Sequence, residues 1–145
     1  MSFDSVKDLL PNNLTQQQVL TKFGMPSEKE QQGGTERWRY IDPVSHSQRI
    51  HFVFRNSVLV QMFWYPLPGE KEMRIETIFA RYPKDKFKQV NTQKDASDSL
   101  DSETSYANES NMSILHDDSR KQVSAVVWYS PMPSGLSQKN PLTSR

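Results

Sequence analysis

Apolar positions near the start of the chain recur at helical spacing and then switch to alternation. Phe3, Val6, Leu9 and Leu10 fall at i, i+3, i+6 and i+7 before Pro11, which predicts a short amphipathic helix over 3–10. Thr15 can cap a second helix over 15–23, with Gln18 three residues on to reach back to its backbone N–H. Leu14 and Val19 have the spacing of a hydrophobic staple, and Gly24 before Pro26 supplies the stop. Residues 27–36 are polar around Gly33-Gly34 and predict a loop or hairpin turn. Three strands then follow, Arg37–Ile41, Arg49–Arg55 and Val58–Tyr65, with Asn56-Ser57 as a tight connection.

The second half echoes this order. Ile75, Ile78, Phe79 and Tyr82 sit at i, i+3, i+4 and i+7, a helix over 73–82 ended by Pro83. Lysines 84, 86 and 88 read as a solvated loop or strand edge. Lys94–Ser105 is a Ser/Asp run that reads as a flexible insertion, with a partner-docking acidic loop as the alternative. Extended segments follow from Tyr106, over Met112–His116 and over Gln122–Ser130, with a turn at Asp117–Arg120. Both halves end alike, Trp64-Tyr65-Pro66 against Trp128-Tyr129-Ser130-Pro131. A degenerate tandem duplication of helix, loop and three strands accounts for the shared order.

Composition narrows the function classes. Lys+Arg (18) balances Asp+Glu (17), so charge gives no reason to expect a nucleic-acid partner. Only 34% of residues are hydrophobic, yet the chain holds 7 Phe, 5 Tyr and 3 Trp, which suits a thin sheet-on-helix core. No run of about 18 apolar residues is present, so a membrane-spanning protein is not expected. Residues 1–13 lack the apolar run of a signal peptide. With no cysteine there is no disulfide, thiol nucleophile or lipid-bearing Cys in the sequence.

Catalytic signatures are lacking. His46, His51 and His116 have no metal-pair spacing, and Asp117-Asp118 before a strand is turn chemistry first. No nucleophile elbow, P-loop or dinucleotide fingerprint occurs. The expectation is no enzyme, no cofactor and no metal. The aromatic strands are the remaining candidates. Alternation puts Val58, Val60, Met62 and Trp64 on one face and Leu59, Gln61, Phe63 and Tyr65 on the other, so both faces are largely apolar. Trp38 and Tyr40 share one face of their strand, leaving Arg37, Arg39 and Ile41 on the other. Either both sheet faces are covered or one presents aromatics for recognition. On the second reading, Trp38, Tyr40, Phe63, Tyr65 and Tyr129 are the partner-binding residues.

Residues 3–65 carry a family resemblance. The helix, the Thr15-initiated second helix with Val19 and Phe23-Gly24-Met25-Pro26, Trp38-x-Tyr40 and the strand Ile50–Phe54 resemble the SmpA/OmlA-type small outer-membrane lipoproteins. That family's Gly-Met-Thr opening stands here as Asn13-Leu14-Thr15. Two tandem copies of the unit would resemble the β-lactamase inhibitory proteins. The implied fold is α+β, two tandem helix–(β)3 units forming an antiparallel curved sheet with the helices packed on one face. The units would span 1–68 and 69–133, before a disordered tail at 134–145. The implied function is a non-enzymatic protein-binding module of the bacterial envelope, periplasmic or otherwise envelope-associated, with the cytoplasm as the other compartment. A small-ligand or lipid-binding domain is the alternative.

Overall fold

In the computed structural model, residues 2–10, 14–83, 86–95 and 98–130 are described. The tail expected at 134–145, together with Lys84, lies outside these residues. Among the described residues three short helices, α1 (Phe3–Val6), α2 (Gln16–Phe23) and α3 (Ile75–Phe79), accompany eight strands. The strands are β1 (Glu28–Gln32), β2 (Thr35–Ile41), β3 (Gln48–Arg55) and β4 (Val58–Trp64), then β5 (Lys88–Asp95), β6 (Asp98–Ala107), β7 (Met112–Asp117) and β8 (Gln122–Tyr129). All eight form one antiparallel sheet in the order β1-β2-β3-β4-β8-β7-β6-β5.

This corrects the expected fold class. Eight strands against three helices of four to eight residues make the described chain a β-rich fold rather than an α+β fold of two helix–(β)3 units. Two physical reasons account for the error. Helical spacing at 3–10 and 73–82 yields only four- and five-residue α-helices plus a 3-10 turn at Lys71–Met73, too short to count as layers. Conversely, β1 and the β5–β6 pair are strands without apolar alternation. All five residues of β1 are exposed, and the Ser/Asp run expected as a flexible insertion falls largely in the paired strands Lys88–Asp95 and Asp98–Ala107.

Helix α2 is built as its sequence specifies. The Thr15 hydroxyl accepts from the Gln18 N–H at 3.2 Å and the Gln18 amide oxygen accepts from the Thr15 N–H at 2.9 Å. The helix entry is stitched to the start of β4, with Leu59 N–H donating to Leu14 O (2.9 Å) and Gln16 N–H donating to Ser57 O (3.1 Å). Asn56 and Ser57 both have positive φ, as a two-residue hairpin of right-handed twist requires.

The helices cover one face of the sheet. Phe23 of α2 packs on Tyr40 and Phe52, and Phe79 of α3 packs edge-on to Tyr106. Phe3 of α1 lies 5.2 Å from Trp64 and 5.6 Å from Trp128, bridging β4 and β8. Arg81 ties the outer ends together, pairing with Asp4 at 2.8 Å and Glu72 at 2.9 Å. The core is one hydrophobic cluster fed by both halves of the sheet.

A β-bulge changes which residues face it. The β3–β4 register shifts between Val53 and Phe54, pairing Phe54 with Leu59. Leu59 is thereby fully buried in the helix-covered core, not on the face with Phe63 that strict alternation gave it. Because Phe3 touches rings from both halves, Phe3→Ala should cost about 3–5 kcal/mol in chemical denaturation and the variant should still unfold in one transition. Two separated transitions would contradict a shared core.

Candidate functional site

The second face of the sheet is set by the same register. Cross-strand pairing lines up Arg39–His51–Phe63–Val127 in one row, and Arg37–Val53–Gln61–Tyr129 in the next. Tyr65 follows Phe63 by two residues and packs edge-on to His51 at 5.2 Å. Val53, Ala125 and Val127 are buried on this face yet stand outside the helix-covered cluster. No helix among the described residues packs here. Phe63, Tyr65 and Tyr129 are each half-buried, flat rings at the surface of a rigid sheet.

Trp38 and Tyr40 are elsewhere. They are 3% and 6% exposed, on the face covered by α2. Trp38 packs on Phe54 at 4.9 Å and donates to Glu36 Oε2 at 2.8 Å. The Tyr40 hydroxyl donates to Gly24 O at 2.7 Å, and burial pushes its pKa up to about 12. Both are core residues. Of the five sequence candidates, the sheet brings Phe63, Tyr65 and Tyr129 together and excludes these two.

Arg37 and His51 join the three rings, and alternation alone did not single them out. The Arg37 guanidinium lies 5.5 Å from the Phe63 ring centre, and one of its N–H groups is 3.5 Å from His51 Nδ1. Nε2 of His51 bonds the Gln48 amide oxygen, so the neutral ring with its proton on Nε2 satisfies both neighbours. Desolvation, with Arg37 and Arg39 beside it, lowers the His51 pKa to about 4. Burial likewise raises that of Tyr65. Arg39 is neutralised by Glu30 at 2.7 Å and Glu28 at 3.7 Å. The signal that would have exposed this cluster is cross-strand register, which a single sequence does not display.

Two other constellations are present. A half-open cleft of about 470 Å³ lies where α2 ends against β2, lined by Phe23, Met25, Tyr40, Ile41, Arg49 and Leu67 among others. Its one arginine is committed, Arg49 making a bidentate pair with Glu70 at 2.6 and 2.7 Å. At the far end of β6 and β7, the Asp118 carboxylate accepts from the Thr104 hydroxyl and contacts His116 Nδ1 at 2.9 Å. The carboxylate stands between hydroxyl and imidazole, the reverse of the order in which a base lifts a hydroxyl proton. Among the described residues no three His, Asp or Glu side chains cluster to hold a metal, and no helix is long and apolar enough to cross a membrane.

No family model and no curated protein matches the chain. Among solved structures it is similar to an extracellular protein containing an SCP domain from Bacillus anthracis str. Ames, at 14% identity and a TM-score of 0.52. The likeness covers 86% of this chain and 45% of that one, so the chain spans less than half of its neighbour's length. At that identity the likeness concerns the fold.

The depressed His51 pKa has a definite sign. The folded state disfavours the imidazolium, so the stabilisation is complete above the ordinary value of about 6.5 and is lost as pH falls from there towards 4. Denaturation midpoints should drop over that window by the equivalent of about 3 kcal/mol, and His51→Gln should flatten the dependence above pH 4.5. An unchanged profile in the variant would show that the ring is not held neutral by the fold.

Proposed function

We propose that the protein is a non-enzymatic protein-binding module of the bacterial envelope that engages its partner through the helix-free face of the sheet. The observation that carries this reading is the grouping of Phe63, Tyr65 and Tyr129, half-buried, on a face that no described helix covers. Aromatic rings on a stiff sheet present large contact area and lose little conformational entropy on binding, which is what recognition faces need. The resemblance of residues 3–65 to SmpA/OmlA-type lipoproteins and the extracellular nature of the structural neighbour both support an envelope or secreted setting.

A second reading has its own support. The cleft beside α2 is lined by Phe23, Met25, Tyr40 and Leu67, and Met25 is 69% exposed at its edge. Its mostly apolar lining suits a small apolar ligand or a lipid chain.

A phage-displayed peptide library selected on the full chain separates the two. On the first reading, bound peptides shift backbone NMR signals around Arg37, Phe63, Tyr65 and Tyr129. Alanine at 63, 65 or 129 then weakens binding and changes stability by no more than about 1 kcal/mol, whereas Trp38→Ala and Tyr40→Ala cost about 3–5 kcal/mol of folding. Shifts confined to the cleft would favour the second reading. Large folding losses at 63, 65 and 129 would remove the first.

A further inference from the structure

The helix-free face has a charge signature that goes beyond its aromatic rings. Four arginines of the described chain are met by carboxylates: Arg39 by Glu28 and Glu30, Arg49 by Glu70, Arg81 by Asp4 and Glu72, and Arg120 by Asp117. Arg37 is different. It is half-buried among Val53, His51 and Phe63, and no carboxylate of a described residue lies within ion-pair distance of it. Glu30, its cross-strand neighbour on β1, turns to Arg39 instead. A guanidinium carries five N–H donors in a planar fork. Here the fork is braced by the Phe63 ring on one side and by the neutral His51 imidazole, which uses one donor and adds no competing charge.

Resting on the protein-binding reading, we propose that Arg37 is the carboxylate-binding centre of this face, so that the partner docks an Asp or Glu side chain on it, with flanking apolar side chains on Phe63, Tyr65 and Tyr129. Charge complementarity selects this occupant. A partly desolvated, pre-oriented arginine gains most from a bidentate carboxylate, and a cationic side chain set on it would be repelled by Arg37, whose charge no described carboxylate meets. Neutral apolar segments would leave the remaining donors unmatched on docking.

The peptides selected on the full chain supply the probe. For a peptide whose NMR shifts map to this face, each Asp or Glu is replaced by Asn or Gln, and affinity is measured on wild type, Arg37→Gln and Arg39→Gln. One acidic position should lose about tenfold or more on wild type and about twofold or less on Arg37→Gln. Arg39→Gln, already satisfied by two glutamates, should retain the full tenfold discrimination. Arg37→Lys, which keeps the charge without the fork, should recover part of it, and thermal midpoints of all variants confirm folding. Face-mapped peptides that lack acidic residues, or whose acidic residue is equally important on Arg37→Gln, overturn the proposal and leave the protein-binding reading intact. Peptides that never map to this face overturn both.

Discussion

Everything in this fold depends on the burial of Trp64 at the seam where the two four-stranded halves meet. Strands β4 and β8 join through four register pairs, and Trp64 opposes Val126 there with no solvent exposure. Phe3 stands edge-on to its ring, and the Arg49 guanidinium lies 4.6 Å from the ring centre on its way to Glu70. An arginine stacked on an indole and paired with a carboxylate satisfies its charge while its apolar surfaces stay packed. The same arginine donates to Tyr65 O at 2.9 Å, and Glu70 accepts from Leu67 N–H at 2.7 Å. The seam therefore also fixes the exit of β4, and with it the position of Tyr65 on the opposite face.

Much of the local structure was legible because it follows from short-range chemistry. The Thr15 capping box, the Asn56-Ser57 hairpin and the break at Gly24 and Pro26 need only neighbours within a few residues. What failed required pairing partners. β1 and the β5–β6 hairpin are polar strands held by the ladder itself, so no apolar pattern announces them. The bulge opposite Phe54 moves Leu59 into the core, and alternation has no means of registering one extra residue. Helical spacing overstated α1 and α3, whose apolar residues are held by tertiary contact more than by helix length.

The candidate site was half legible for the same reason. Apolar residues on both faces of β4 raised the question of an exposed aromatic face, but not which aromatics occupied it. Trp38 and Tyr40 looked equivalent to Phe63 and Tyr65 until register put Trp38 opposite Phe52, beneath α2, and His51 opposite Phe63, away from it. Arg37 gains its character only there, since Glu30, directly opposite it on β1, pairs instead with Arg39 two residues along β2. A two-faced sheet of this kind spends its aromatic residues twice, once on a core and once on a surface.

Hydroxyl-radical footprinting of the full chain tests that division most directly, because side-chain labelling follows solvent access. Phe63, Tyr65 and Tyr129 are expected to label measurably, less than the exposed Met25 but above Trp38, Tyr40, Phe52 and Trp64, which stay protected. Protection of all three rings at the level of Phe52, or ready labelling of Trp38 and Tyr40, would contradict that division.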